Sequence, residues 1–306
     1  MRKAIAAATI VGTLTISSYV AWSESGGVGG LDTAEIEKLT GLKGKLYDKE
    51  RVFKISAPRS DLKIVARGVH LTPPMGLTSW AAFQRAGAET MVMGDLVLDP
   101  YQVNPVMSVA LDNGLEVTAL HNHFLWTSPV VMFMHIGGRG DEAKLATAVG
   151  KVFENIKQTA GAEDRKPDTE IDPAKTTLDP KKLDAILATN GDFKDGVYKA
   201  VFGRATKMHG HEFGNAMGVN TWAAFAGSDD TAVVDGDFAM LESELQPVLK
   251  KLRGAGIDVV AIHQHMTGEA PRIMFLHYWG IGKAEDLAKG VHGALEVTAT
   301  KPNKAS

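Results

Sequence analysis

The segment MGLTSWAAF at residues 75–83 recurs as MGVNTWAAF at residues 217–225. The two copies stay in register without a gap along residues 75–154 and 217–296, with 26 identities in 80 positions. Chance would give roughly a fifth of that number, so the chain carries a tandem duplication. Each copy is expected to form the same structural unit.

The duplication also predicts the domain boundaries. The first repeat covers about residues 31–158, and the second covers about residues 178–300. Between them, residues 159–177 are polar, charged and proline-bearing, which is typical of a linker.

Hydrophobic periodicity predicts an α-β-β-β-α-β-β-α order of elements in each copy. In the first copy it places strands at Glu89–Leu98, Leu115–Phe124 and Val130–Ile136, and helices at Pro100–Asn113 and Glu142–Ile156. The predicted class is α+β. We expect two sheets, one from each repeat, related by a pseudo-two-fold axis.

The N-terminus has the pattern of a secretory signal peptide. Arg2 and Lys3 precede an apolar stretch, and small residues near position 23 offer cleavage points. We therefore expect residues 1–23 to be removed, giving a periplasmic or secreted protein without a stable membrane anchor. An uncleaved anchor is the alternative.

Composition limits the function classes. The chain contains no cysteine, which excludes thiolate metal ligands and thiol catalysis. The net charge is -3, and no basic cluster is interleaved with aromatic residues. This pattern does not suggest a nucleic-acid partner. The expected partner is a small molecule or a metal ion.

Six of the ten histidines lie at matched positions in the two repeats. Residues on a strand alternate faces, so the two histidines of each His-x-His pair should share a face. The same alternation places Val117 and Ala119 on that face in the first copy. The third histidine lies on the next predicted strand, which a hairpin would bring alongside. The two triplets are His121, His123 and His135, and His263, His265 and His277.

Three imidazoles converging from neighbouring strands are typical of a metal site with an open position. Zinc is favoured, and copper, nickel and iron accept the same ligands. A metal-free histidine site for a small anionic ligand and a purely structural histidine network are the alternatives.

Other matched residues extend the candidate site. Asp95 and Asp237 are candidate imidazole partners, with a turn as the alternative. Arg59 and Arg204 suit capture of an anionic ligand, with an exposed ion pair as the alternative. Glu269 has no carboxylate counterpart in the first copy, where Thr127 stands. It is the candidate general base, with a solvated turn residue as the alternative.

The matched aromatic residues are predicted to be core anchors. Trp80 and Phe83 in the first copy correspond to Trp222 and Phe225 in the second. A wall that stacks against a ligand is the alternative interpretation.

Three stretches together resemble the LppY/LpqO family of exported bacterial proteins, a domain of unknown function. They are MGVNTWAAF, IDVVAIHQHM and PRIMFLHYWG, beginning at Met217, Ile257 and Pro271. The resemblance covers nearly all of the chain after the signal segment and implies export, but it implies no activity. The family is named after mycobacterial lipoproteins, and this chain has no cysteine to carry a lipid.

Together the patterns favour an exported metal-binding protein with two related three-histidine sites. If the protein is an enzyme, the favoured activity is metal-dependent hydrolysis. The alternatives are a metal-free binding protein for small anions and a structural envelope protein.

Overall fold

The computed structural model describes residues 30–161 and 169–298. The expected signal peptide, residues 1–23, lies outside the described residues, as does the central part of the expected linker. Within the described ranges, no helix is both long and apolar enough to cross a membrane.

The described residues form six α-helices, three in each repeat. They are α1 (Thr33–Thr40), α2 (Pro100–Asp112), α3 (Glu142–Gln158), α4 (Pro180–Leu187), α5 (Leu245–Gly254) and α6 (Ala284–Leu295). Helix α2 shows how the sequence fixes an end. The Asp99 side chain accepts hydrogen bonds from backbone amides of the first turn, and the Gln102 side chain accepts one from the backbone amide of Asp99. Pro100 occupies the first helical position.

Among the described residues, groups of strands lie between these helices in the same order in both halves, except that β8 has no counterpart in the second half. They are β1 (Gly44–Tyr47), β2 (Val52–Pro58), β3 (Val65–Ala66), β4 (Val69–His70), β5 (Thr78–Ala86), β6 (Glu89–Leu98), β7 (Glu116–His121), β8 (Thr127–Ser128), β9 (Met132–Gly140), β10 (Asp192–Lys194), β11 (Val197–Gly203), β12 (Thr206–Met208), β13 (His211–Phe213), β14 (Asn220–Gly227), β15 (Ala232–Leu241), β16 (Asp258–His263) and β17 (Ile273–Gly282). The α+β class is therefore confirmed.

One feature of the predicted architecture is wrong: the two repeats build one sheet, not two. The order is β1-β2-β5-β6-β9-β7-β16-β17-β15-β14-β11-β10, in 12 strands. The halves meet at β7 and β16, which pair antiparallel with Leu120 opposite Ile262. Equivalent strands follow in the same order from either edge. The unit also contains more strands than predicted, since β1 and β10 add an outer strand to each half.

The sheet has one covered and one largely open face. Strand β6 illustrates both, because Val92 and Leu96 lie in the main core with helix residues, whereas Met93 is exposed. Two smaller clusters, one of them around Phe133 and the other around Phe275, cover parts of the second face. The open area between these clusters carries the histidines.

Side-chain amides hold the junction of the two halves. Asn104 on α2 donates to the Val259 carbonyl at 3.3 Å and accepts from the Val259 amide at 2.9 Å. Gln246 on α5 makes the same pair of bonds with Val117, at 2.8 and 3.0 Å. Asn104 and Gln246 are matched positions. Each repeat therefore satisfies backbone groups of the other repeat's central strand, which would otherwise be left unpaired.

Candidate metal centre

A bulge sets the face on which the histidines lie. The register of β7 against β9 shifts between Val117 and Ala119, and that of β16 against β17 shifts between Val259 and Ala261. A bulge inserts one extra residue and so breaks the alternation of faces. Val117 is consequently buried in the main core, and its predicted place on the histidine face is wrong.

Cross-strand register lines up the same residue types in both halves. In the second half, Trp222 lies opposite Asp237, Asp237 opposite His277, and His277 opposite Ala261. The corresponding row in the first half is Trp80, Asp95, His135 and Ala119. Asp95 and Asp237 are therefore inside strands, so the turn interpretation of these residues is wrong.

The second histidine of each pair lies beyond its strand. Strands β7 and β16 end at His121 and His263, before the predicted ends. The rings of His123 and His265 are held by stacking on Phe133 and Phe275, with centroids 3.4 and 3.5 Å apart. Stacking on a buried ring thus orients an imidazole that the strand itself does not position.

In the second half, Asp237, His263 and His265 bring three ligand atoms together. The Nε2 atoms of the two histidines are 3.1 Å apart, and His265 Nε2 is 3.3 Å from Asp237 Oδ2. One nitrogen or oxygen atom from each residue lies within 4.8 Å of the other two. The three atoms are of the types that bind zinc, and they are close enough together to hold one metal ion.

Burial shifts the pKa values of all three side chains in this group. Asp237 is 3% exposed, and its desolvation raises the pKa to about 7, although the nearby His277 acts in the opposite direction. Desolvation, together with a smaller contribution from the neighbouring His277 and His265, lowers the pKa of His263 to about 4. Burial also lowers the pKa of His265. Both imidazoles are therefore held neutral, the form that binds metal.

His277 packs against the Asp237–His263–His265 group and is not one of its three members. Its ring stacks on that of His263, with centroids 4.6 Å apart, and its Nδ1 faces the Gly236 carbonyl at 3.4 Å. The structure thus brings Asp237 into the ligand group with His263 and His265, where the sequence had suggested His277.

The first half contains the same side chains in a different arrangement. The rings of His121 and His123 are nearly parallel, at 17° and 5.2 Å between centroids, and His121 also stacks on His135 at 5.1 Å. Burial lowers the pKa of His123, while the charge of Asp95 opposes that change. Within the described ranges, only the second-half group has its ligand atoms gathered closely enough for a metal.

Comparison with known proteins identifies the repeat. The sequence profile of the DUF1529 family, described as Domain of Unknown Function (DUF1259), matches residues 34–155 and again residues 181–297. The chain belongs to this family. The double match confirms the internal repeat deduced from the sequence. No curated protein matches the chain.

Two solved structures align with the chain at low similarity. A trimeric bacterial microcompartment shell protein, PduB, is aligned over 86% of this chain and 97% of its own, with 11% identity and a TM-score of 0.20. Aspartate kinase from Synechocystis is aligned over 71% of this chain and 41% of its own, with 9% identity and a TM-score of 0.17. Neither alignment carries an argument about this DUF1529 member.

Glu269 lies outside the Asp237–His263–His265 group. It is buried, and its Oε1 accepts a hydrogen bond from the Ile273 amide at 3.2 Å. Its observed contact therefore closes the loop before β17. The alternative interpretation of Glu269 as a solvated turn residue is therefore wrong, because its side chain is a buried hydrogen-bond acceptor.

Both candidate arginines are buried and make internal contacts. Arg59 pairs with Asp61 at 2.8 Å and donates to the Val97 carbonyl, while Arg204 pairs with Glu244 at 2.7 Å and donates to the Ala239 carbonyl. These bonds tie loops to the strands β6 and β15. Each arginine has the acidic neighbour that the alternative expected, but its expected exposure is wrong, because the side chains of Arg59 and Arg204 are only 5% and 8% exposed.

The matched aromatic residues divide between the two faces. Phe83 and Phe225 are core residues, as predicted. Trp80 and Trp222 instead lie on the histidine face, where Lys54 and Lys199 sit over their rings at 3.9 and 4.4 Å. Because Trp222 lies opposite Asp237, the Lys199 ammonium group over the Trp222 ring is close to the candidate metal centre.

Proposed function

We propose that this protein is an exported metal-binding protein whose principal site is Asp237, His263 and His265. The approach of the two histidine Nε2 atoms and the Asp237 carboxylate to one point carries this proposal. Nitrogen and carboxylate ligands at that spacing suit zinc, and copper, nickel and iron accept the same set.

A metal accounts for the close approach of these three atoms better than a proton does. A single proton on His265 Nε2 can be donated along one direction, yet this atom faces both His263 Nε2 and Asp237 Oδ2. The depressed pKa of His263 disfavours a second proton on the pair. A cation between the atoms engages all of their lone pairs at once.

The first repeat supplies a second, related site. Asp95, His121, His123 and His135 occupy positions that match the second-half residues. We infer that small rotations of the parallel rings bring them onto a metal, because His121 and His123 are at the surface of the fold. The pseudo-two-fold relation of the repeats and the LppY/LpqO name belong to the same proposal, as does periplasmic location.

The chemistry proposed for the principal site is hydrolysis. A bound zinc ion would supply Lewis acidity and lower the pKa of a coordinated water to about 7. The chain supplies a dry carboxylate at Asp237 and rings fixed by Phe275 and His277. Three protein ligands would leave the fourth position of a tetrahedral zinc ion open for water or substrate.

Element analysis of untagged protein tests the proposal. We expect bound zinc, copper, nickel or iron after purification or after metal challenge and washing. The double variant His263→Ala/His265→Ala should lose the principal site, whereas His121→Ala/His123→Ala should retain it. Equal and negligible metal in all three proteins would refute metal binding and leave a metal-free or structural role.

If the protein binds metal, a substrate panel then tests whether it is a hydrolase. Turnover of ester, phosphoester or amide substrates by the loaded protein, lost in His263→Ala/His265→Ala, would support hydrolysis. Metal binding without turnover on such a panel would instead identify a carrier or buffer.

A further inference from the structure

The two histidine clusters lie side by side on one sheet face. Strands β7 and β16 are neighbours, with Leu120 opposite Ile262, so Ala119 falls opposite His263 and His121 opposite Ala261. The two central strands are direct neighbours in the sheet order, with no strand between them. What the sequence presents as two sites is therefore one continuous surface.

The spacing of the clusters excludes a shared single-atom bridge. Asp237 on β15 and His263 on β16 bracket β17, and Asp95 on β6 and His121 on β7 bracket β9. Metals held by these pairs would lie above β17 and β9, three strand spacings or about 14 Å apart. Two-metal sites that share one oxygen need about 3.5–4 Å.

A strip of surface with small side chains, which we term the trough, separates the two clusters. The partly buried residues Ala119 and Ala261 form its floor, and neither has a side chain beyond Cβ. His121 and His263 stand beside them on the same face. The floor is apolar and the two ends are the candidate metal centres.

We propose that the trough binds a single elongated ligand that has an anionic, carboxylate-like group at each end and an apolar middle. Each end group coordinates one metal, and the middle lies over Ala119 and Ala261 across β7 and β16. This inference rests on the proposed metal sites. Lys54 and Lys199, held over Trp80 and Trp222, add positive charge beyond the two ends.

Linear carboxylates of matched length test the trough. Calorimetry on the zinc-loaded chain should show that octanedioate or decanedioate binds at least about tenfold more tightly than octanoate, because the second carboxylate binds intramolecularly. Equal affinities for the dianions and octanoate, with zinc present at both sites, would overturn the composite site and leave the metal sites intact. A chain that binds no zinc overturns both proposals.

Two variants test whether the middle of the ligand lies over the β7–β16 junction. Ala119→Leu should remove the preference for the dianion while zinc content stays the same, and Ala82→Leu is the matched control. Ala82 is also a partly buried alanine of this face, but it lies on β5, opposite Lys54 and Met93. Loss of the preference in both variants, or in neither, contradicts binding over the β7–β16 junction.

Discussion

In the second repeat the rings of His263 and His265 are inclined at 42° and meet at their Nε2 atoms, whereas those of His121 and His123 lie nearly parallel. The ring centroids are almost equally spaced in the two pairs, at 5.1 and 5.2 Å. Ligand identity and spacing are thus the same, and ring orientation differs. The histidine pattern in the sequence therefore does not show whether the ring nitrogens of a pair meet, as in the second repeat, or lie on parallel rings, as in the first.

A neighbouring side chain provides a physical reason for the difference. Phe124 lies edge-on to His123 and to Phe133, with centroids 6.1 Å away in both cases. Its counterpart in the second repeat is Met266, which packs into the smaller cluster around Phe275. Both pairs stack on a buried phenylalanine, but the first pair has an additional edge-on contact with Phe124 that Met266 does not provide in the second pair.

The largest expected effect comes from removing the buried carboxylate. Asp237→Asn should weaken binding at the principal site by more than about 100-fold, the upper end for changes that only touch ligand orientation. Asp95→Asn should affect that site little. Competition with a chromophoric chelator measures both affinities.

Thermal unfolding provides the control for this pair. Asp237→Asn should not destabilise the metal-free protein at pH 8, since it replaces a buried charged group by a neutral one. Equal losses of metal affinity in Asp237→Asn and Asp95→Asn would contradict the difference between the repeats.

Sequence patterns predict the regular elements well and the site less well. The predicted strand at Glu89–Leu98 coincides with β6, and the predicted helix over Glu142–Ile156 begins at the first residue of α3 and ends close to its last. Both are long segments with clear periodicity. Strands β1 and β10 are missed because they contain only four and three residues, too few to show a period.

The role of Asp237 depends on information that periodicity does not contain. It reaches His265 only because β15 pairs with β17 and β17 with β16 in one particular register. The bulges before Ala119 and Ala261 then determine which side chains share that face. The conserved spacing of the triplets between repeats located the site, but long-range pairing selected its ligands.

A smaller effect is expected at the glycines beneath the tryptophan backbone. A Cβ on Gly236 would lie 2.2 Å from the Tyr278 ring and 2.4 Å from the Trp222 carbonyl, whereas on Gly94 it would lie 2.8 Å from Ile136. Gly236→Ala should therefore lower the free energy of unfolding by about 3 kcal/mol and Gly94→Ala by about 1 kcal/mol. Chemical denaturation measures both, and a larger loss for Gly94→Ala would contradict the closer packing around Gly236.

The pH dependence of metal binding follows from the same burial. Below pH 7 the metal-free Asp237 holds a proton that metal must displace, because its pKa is raised to about 7, whereas His263 is already neutral above about pH 4. Affinity should therefore fall about tenfold per pH unit from pH 7 to pH 5, with about one proton released at pH 6 and almost none at pH 8.5.

Calorimetry in buffers of different ionisation enthalpy measures the released proton. Asp237→Asn should abolish the release at pH 6. Unchanged release in that variant would assign the proton to a histidine instead.

The smallest effect is expected from exchanging the residues that line the two ring pairs. Met266→Phe should draw His265 toward a parallel stack and weaken metal binding about threefold to tenfold, since an aromatic pair contributes about 0.5–1.5 kcal/mol. Phe124→Met should strengthen binding at the first-repeat site by a similar factor. Chelator competition on each variant, made in a background where the other site is removed by its paired histidine-to-alanine changes, isolates the affected site. Opposite shifts in the two variants would identify the lining residue as the cause of the different ring orientations, and shifts of the same sign would exclude it.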